Sequence, residues 1–141
     1  MKKILFVEDQ PMYKLNALLQ YFKMKKVDVE YEILGSVTEA LRYLGNKNNK
    51  VDLVVTDLGL PIFKGEMVNN LLNGMDIVNY IYKFNTVAPV IINSTTVVPN
   101  FDYVKEDYDL RGQQLYKVDN IMEMKDWILE FLQSWIKKSS R

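Results

Sequence analysis

The sequence predicts an α/β domain built on a parallel sheet, and two patterns in the sequence support this fold class. Short runs of consecutive apolar residues recur along the chain, which is typical of strands covered on both faces. Segments with apolar residues at helical spacing lie between these runs, and strands that alternate with helices form parallel sheets. The chain has 141 residues, of which 48% are hydrophobic and 26% charged, enough for one domain with its own core. We therefore expect a single domain over residues 1–141.

Five segments are predicted to be strands. Residues 29–34 alternate between apolar and polar positions, which is typical of a more exposed strand. The other four are continuous apolar runs, at residues 3–7, 51–55, 90–92 and 114–116.

Helical patterns lie between the predicted strands. The first begins at Pro11, which suits the first turn of a helix because proline has no N–H to donate. The second begins at Ser36, where a Ser-x-x-Glu capping box opens a short helix. The predicted helices span residues 11–22, 36–44, 75–84 and 120–138. Residues 101–110 are acidic and poorly periodic, so we expect a short or irregular helix there.

The composition excludes several classes of chemistry. The sequence contains no Cys and no His, which excludes disulfides, thiol catalysis, imidazole bases and Cys/His zinc sites. Its 18 basic residues balance 18 acidic residues, which argues against nucleic-acid binding by bulk attraction to phosphate. No apolar run is long enough to span a membrane, and the early acidic residues argue against a signal peptide. We expect a cytoplasmic protein whose chemistry uses carboxylates, hydroxyls and lysines, or a hard metal ion bound by oxygen.

Polar side chains follow the predicted strands of the sheet. Glu8 and Asp9 come directly after the first strand, and Asp57 follows the third. Ser94 ends the fourth strand and Lys117 ends the fifth. Functional groups of open α/β sheets gather beyond the carboxyl ends of the strands, so we expect these residues at one edge. Crowded carboxylates repel one another, and a hard divalent cation with oxygen ligands relieves that repulsion.

In their order and spacing, these residues resemble the receiver domain of two-component response regulators. The matching segments are Glu8-Asp9 after KILFV, Asp57 in VVTDLGLP, Gly74-Met75, Ser94 in PVIINS, and Lys117 after QLY. The resemblance covers residues 1–61, 74–96 and 114–138. It implies a flavodoxin-like fold: a doubly wound, five-stranded parallel sheet in the order 2-1-3-4-5, with helices on both faces.

The resemblance implies a phospho-accepting signalling domain rather than an enzyme, with only self-phosphorylation from a donor and slow self-dephosphorylation. It implies that Asp57 is the phosphoryl acceptor and that Ser94 and Lys117 contact the phosphoryl group. The implied Mg²⁺ ligands are Glu8, Asp9, Asp57 and the backbone carbonyl of Gly59. The implied partners are a sensor histidine kinase or histidine phosphotransfer protein and a downstream protein target. No nucleic acid or membrane is expected as a partner.

Four features depart from the usual receiver pattern. Val118 stands where proline usually follows the lysine, and Thr95 stands where a small residue usually follows the hydroxyl. Gln114 occupies the position of the usual aromatic switch residue. The fourth departure is an insertion at residues 62–73, whose apolar residues have helical spacing. The insertion is interpreted either as a lid or partner-specific surface beside the site, or as an extra turn packed on the rim.

Two alternative functions are open. One is a phosphorylation-independent, or pseudo-receiver, interaction module on the same fold, which Thr95, Val118 and the insertion favour. The other is a carboxylate-based phosphatase, which is disfavoured because Glu8-Asp9 does not supply the Asp-x-Asp that such enzymes need after their first strand.

The predicted final helix is apolar over roughly 220° of its circumference, about twice what a single core-facing stripe needs. Either residues 97–113 cover the excess, or an exposed strip remains for association. From the second interpretation we predict a homodimer that forms through this helix as the protein concentration rises. Sedimentation velocity with and without a phosphodonor measures this, and a strictly monomeric profile in both conditions contradicts it.

Overall fold

A six-stranded sheet forms the centre of the fold in the computed structural model, which describes residues 1–84, 90–94, 108–110, 113–118, 124–126, 128–130 and 132. The strands are β1 (Lys2–Val7), β2 (Val29–Leu34), β3 (Leu53–Thr56), β4 (Val90–Asn93), β5 (Tyr108–Leu110) and β6 (Gln113–Val118). The helices are α1 (Pro11–Lys14), α2 (Asn16–Met24), α3 (Val37–Gly45) and α4 (Met75–Lys83). Residues 124–126, 128–130 and 132 are also helical and are called the C-terminal helix.

The order of the strands confirms the predicted fold class. The sheet runs β2-β1-β3-β4-β6-β5, and the first five strands in this order are parallel. The predicted order 2-1-3-4-5 corresponds to β2-β1-β3-β4-β6. Strand β1 pairs with both β2 and β3, so the direction of winding reverses there. Ligands of open α/β sheets bind at such a reversal, beyond the carboxyl ends of the strands.

Strand β5 is an antiparallel addition at the edge of this sheet. It pairs with β6 from Tyr108↔Leu115 to Leu110↔Gln113. The expectation of a short or irregular helix at residues 101–110 is therefore wrong for residues 108–110, and residues 101–107 lie outside the described part of the chain. A strand of three residues is too short to show a period of two. Its pairing covers the edge that β6 would otherwise leave open.

Two apolar clusters cover opposite faces of the sheet, because successive side chains of a strand point to opposite faces. One face packs against α3 and α4, and the other against α2 and the C-terminal helix. The first cluster contains Leu5, Val7, Val37, Ala40, Val54, Leu58, Leu60, Ile77, Val78, Ile81, Val90 and Ile92. The second contains Ile4, Phe6, Leu15, Leu18, Phe22, Leu53, Val55, Ile91, Met124, Ile128 and Leu132. Helices therefore cover both faces of the sheet, as predicted.

The first predicted helix is divided at Leu15. The single turn of α1 begins with Pro11, and α2 begins at Asn16. Met12 is exposed, whereas Leu15 is buried in the core. The helical pattern of the sequence contains no Gly or Pro at the break and so did not indicate it. The division makes the turn that carries Lys14 a separate short element next to the end of β1.

The predicted start of α3 is confirmed. The hydroxyl oxygen of Ser36 accepts a hydrogen bond from the backbone N–H of Glu39 at 3.3 Å. The same hydroxyl donates to the Oε1 atom of Glu39 at 2.9 Å. This N-cap satisfies a backbone donor that the first helical turn leaves without a partner.

Residues 62–73 form a loop with turns, although their apolar residues have helical spacing. Gly65 has a φ of +85°, a conformation that favours glycine. Met67 is 89% exposed and Leu71 is also exposed, so these residues have no apolar surface to stabilise a helical stripe. At the start of the loop, the backbone N–H of Thr38 donates to the carbonyl of Ile62 at 3.0 Å, which ties the loop to α3.

The predicted dimer strip lies largely outside the described residues, because Trp127, Phe131, Trp135 and Ile136 are not among them. The described residues Met124, Ile128 and Leu132 recur every fourth position and are buried against the sheet. One side of the C-terminal helix therefore belongs to the core, and the homodimer stays a prediction.

Gly74 closes the insertion where the backbone packs tightly. Its N–H donates to the carbonyl of Leu58 at 2.8 Å. A Cβ atom at Gly74 would overlap the carbonyl oxygen of Asp57 and lie 2.7 Å from the Cα atom of Leu58. These are backbone atoms, so they cannot rotate away, and the segment that follows β3 would have to move.

We predict that Gly74→Ala lowers the free energy of unfolding by about 2 kcal/mol, because overpacking a fixed backbone forces local displacement. Gly45→Ala is the matched control, since a Cβ atom there would lie 3.5 Å from the Tyr80 hydroxyl, an ordinary contact. Urea unfolding measures both variants. Equal stability of the two variants would contradict the close packing described for Gly74.

Candidate functional site

Three acidic side chains meet where β1 and β3 end. The parallel pairing places Val7 beside Thr56, so the residues that follow these two emerge together. The ladder continues one step further, because the N–H of Asp57 donates to the carbonyl of Val7 at 3.0 Å. One carboxylate oxygen from each of Glu8, Asp9 and Asp57 lies within 4.8 Å of the other two. The structure thus brings together the three side chains that the sequence indicated as metal ligands.

Hydrogen bonds hold the Asp57 carboxylate in one orientation. The side chain is buried, with the residue only 6% exposed. Its Oδ1 atom accepts from the backbone N–H of Leu58 at 2.7 Å and from that of Gly59 at 3.4 Å. Its Oδ2 atom accepts from the ammonium of Lys14 at 2.9 Å. The loop after β3 therefore fixes one oxygen, and a side chain from α1 contacts the other.

Glu8 is the more deeply buried of the two central carboxyl groups, at 3% exposure. Its Oε2 atom accepts from the backbone N–H of Gln10 at 3.1 Å. Burial, together with the negative charge of Asp57, raises the pKa of Glu8 from its usual 4.5 to about 7. The hydrogen bond from Gln10 and the charge of Lys14 oppose this rise. Near neutral pH, protons and cations therefore compete for the Glu8 carboxylate.

Lys14 is the site residue that sequence reasoning missed. Its Nζ atom lies 2.9 Å from Oδ2 of Asp57 and 3.7 Å from Oε2 of Glu8. Partial burial opposes its charged form, but the hydrogen bond to Asp57 and the charges of the three carboxylates raise the pKa of Lys14 above its usual value. Its signal in the sequence is weak, because a lysine five residues after Asp9 in a predicted helix ordinarily lies in solvent.

The insertion borders this site through Leu71. A Cβ atom built on Gly59 would lie 3.7 Å from the Cδ2 atom of Leu71. Gly59 supplies the backbone carbonyl that was expected to bind the metal ion. At the end of the loop, the side-chain amide of Asn73 donates to the carbonyl of Leu60 at 2.9 Å. The loop thus returns to the segment that follows Asp57.

Ser94 and the backbone of Lys117 lie at the same edge of the sheet as the acidic cluster. One register row crosses the sheet through Val7, Thr56, Ile92 and Lys117. Ser94 directly follows β4 and is buried. The side chain of Lys117 lies outside what the structure describes, as does Thr95.

The chemistry of the acidic cluster fits Mg²⁺. This ion prefers hard oxygen ligands, binds through one or two carboxylates, and keeps positions for water and phosphate oxygens. Glu8, Asp9 and Asp57 offer carboxylate oxygens close enough together to share one ion. Within the part of the chain that the structure describes, this is the single acidic group of this kind.

Comparison with known proteins supports the fold. No protein-family model matches the sequence, and no curated protein matches it significantly. A response regulator receiver domain protein from Clostridium thermocellum is 22% identical with a TM-score of 0.60, and the match covers 100% of both chains. The signal receiver domain of an HD domain-containing protein from Pseudomonas fluorescens Pf-5 is 16% identical with a TM-score of 0.55, over 97% of this chain and 95% of that one.

These similarities define the class of fold. The protein has the CheY-like, flavodoxin-like fold of response-regulator receiver domains, as the sequence resemblance implied. At these identities the comparison establishes the fold, and the role of each site residue rests on the chemistry of the chain itself. Among the described helices, none combines the length and apolar character needed to cross a membrane.

We predict that, without divalent cations, the contribution of Glu8 to the stability of the protein falls as the pH rises from about 4.5 to about 7. In this range Glu8 is protonated in the folded protein and ionised in the unfolded chain. Folding therefore binds a proton, and raising the pH opposes it, by up to about 3 kcal/mol across the range.

Chemical unfolding of the protein and of Glu8→Gln at several pH values isolates this effect. The stability difference between them should change between pH 4.5 and 7 and level off on either side. Glu30→Gln, which removes the charge of an exposed carboxylate on β2, is the matched control. A difference that does not vary with pH would contradict the raised pKa of Glu8.

Proposed function

We propose that this protein is a receiver that accepts a phosphoryl group on Asp57 in a Mg²⁺-dependent reaction and signals through protein–protein contacts. One observation carries the proposal: a buried Asp57 faces Glu8 and Asp9 at the carboxyl ends of β1 and β3, within a receiver fold. Asp57 directly follows its strand, and fixed hydrogen bonds orient its carboxylate.

In the proposed reaction, a carboxylate oxygen of Asp57 attacks the phosphorus atom of a donor. A bond forms between that oxygen and phosphorus while the bond from phosphorus to the leaving group breaks. The N–H groups of Leu58 and Gly59 hold the plane of the carboxylate during this step. Bound Mg²⁺, held by Glu8, Asp9, Asp57 and the Gly59 carbonyl, would neutralise charge on the phosphoryl oxygens.

Ser94 and Lys117 are proposed to contact the phosphoryl group once it is on Asp57. A hydroxyl and an ammonium both make strong, charge-assisted hydrogen bonds to phosphate oxygens. Ser94 directly follows β4, the neighbour of β3, so its contact would pull on the segment after β4. A local change of this kind can alter a surface that a partner binds.

The phosphoryl donor is proposed to be the phosphohistidine of a partner, either a sensor histidine kinase or a histidine phosphotransfer protein. This chain contains no His and cannot supply the phosphohistidine itself. We further propose that the protein acts in the cytoplasm as a single domain, with a downstream protein as target. Slow self-dephosphorylation would return it to the resting state.

We predict that incubation with Mg²⁺ and a small phosphodonor adds the mass of one phosphoryl group to the protein. Asp57→Asn should abolish this addition because an amide is a poor nucleophile. Asp126→Asn, which changes an exposed aspartate on the C-terminal helix, should leave it intact. Intact-mass spectrometry with and without a chelator measures the addition and its dependence on the metal ion.

A phosphorylation-independent module is the second candidate, and the contact between Lys14 and Asp57 favours it. The ammonium at 2.9 Å already satisfies the Oδ2 atom of the would-be acceptor. Absence of labelling at every Mg²⁺ concentration would reject the receiver proposal in favour of this module. Labelling that persists in Asp57→Asn would instead assign the acceptor to another residue.

A further inference from the structure

The Lys14 ammonium contacts the oxygens that a divalent cation would need. Its Nζ atom lies 2.9 Å from Oδ2 of Asp57 and 3.7 Å from Oε2 of Glu8. Both residues belong to the acidic cluster that fits Mg²⁺. The lysine thus joins the two buried carboxylates in the way that a cation would.

This contact differs from an ordinary surface ion pair. The side chains of Glu8 and Asp57 are only 3% and 7% exposed, so water screens their charges poorly. Exposed ion pairs contribute little to stability, whereas a buried carboxylate that loses its partner is costly. Two like charges this close to each other therefore need a positive charge beside them.

Lys14 can also leave the site without unfolding the domain. Its side chain is 39% exposed, so one side of the stem already borders water. It is the last residue of the one-turn helix α1, which ends where the chain turns at Leu15. A lysine side chain has a flexible four-carbon stem and can move its ammonium into water by rotation.

We infer that Lys14 is a built-in counter-cation that competes with the divalent cation for Glu8 and Asp57 and so sets the cation affinity of the site. This inference rests on the proposed Mg²⁺ site. A divalent cation and an ammonium repel each other, and both are attracted to the same two buried carboxylates. Binding of the ion therefore requires Lys14 to withdraw, which lowers the observed affinity.

The consequence is a site whose cation affinity is set by an internal side chain. A fixed acidic cluster alone would bind Mg²⁺ as tightly as its oxygens allow. With Lys14 present, the ion must first displace the contact between the ammonium and the two carboxylates. This contact stabilises the cation-free protein and therefore lowers the affinity for Mg²⁺. Lys14 is thus a positioning residue for the acidic cluster, distinct from Lys117, whose proposed contact is with the phosphoryl group.

The experiment compares Mg²⁺ binding to the unsubstituted 141-residue chain, Lys14→Met and Lys14→Arg by isothermal titration calorimetry at pH 8. Methionine keeps an unbranched side chain without the charge, and we expect it to bind Mg²⁺ about tenfold more tightly, the effect of losing one charge-assisted contact. Arginine keeps the charge and should bind close to the parent protein. Lys23→Met removes an exposed charge from α2 and should also match the parent protein.

Thermal unfolding supplies a second readout. Without divalent cations, Lys14→Met should melt at a lower temperature than the parent protein, because Glu8 and Asp57 lose their counter-charge. With saturating Mg²⁺ this difference should disappear, since the ion replaces the lysine. A difference that persists in Mg²⁺ would show that Lys14 acts only in packing and would overturn the inference.

The remaining outcomes separate this inference from the proposed function. Equal or weaker Mg²⁺ binding by Lys14→Met overturns the competition, while the parent protein still binds the ion. Absence of binding in every variant overturns both the Mg²⁺ site and the competition. Tighter binding by Lys14→Met, without labelling of Asp57, supports the inference and overturns the phosphorylation proposal.

Discussion

The parallel pairing of β1 with β3 is the constraint on which the candidate site depends. Because the register aligns Val7 with Thr56, the next residue of each strand is an acid, and Glu8 and Asp57 emerge side by side. Both are nearly excluded from water, so their repulsion is weakly screened. The fold can keep this arrangement only with compensating donors, and it uses the N–H groups of the loop and the ammonium of Lys14.

The insertion at residues 62–73 is held at both ends, so it borders the acidic cluster without displacing it. The carbonyl of Leu58 accepts from Gly74, and the start of the insertion bonds to α3 through Thr38. Between these anchors the chain is exposed, and lengthening an anchored loop costs little entropy. Added residues can therefore change the rim of the site without moving Asp57.

The central strands and the acidic residues could be predicted because each leaves a strong local signal. A buried parallel strand needs consecutive apolar residues, and its carboxyl end must turn polar where it meets water. Lys14 left no comparable signal, since a lysine in a helical turn ordinarily lies in solvent. The helical spacing within residues 62–73 did not decide their structure, because such spacing forms a helix only where a surface can bury the apolar stripe, and Met67 is exposed.

The balance of charge explains why a site of this kind would keep two lysines. Three carboxylates carry a charge of about minus three, and one divalent cation that displaces Lys14 reduces it to about minus one. In the proposed phosphorylated state, a phosphoryl group brings up to about two negative charges where Asp57 carried one. With one divalent cation bound, a net charge of about minus two would remain at the site, and two ammonium groups would neutralise it. The Lys14 ammonium that the cation displaces before the reaction would thus be needed again after Asp57 is phosphorylated, and Lys14 is close enough to return to the site.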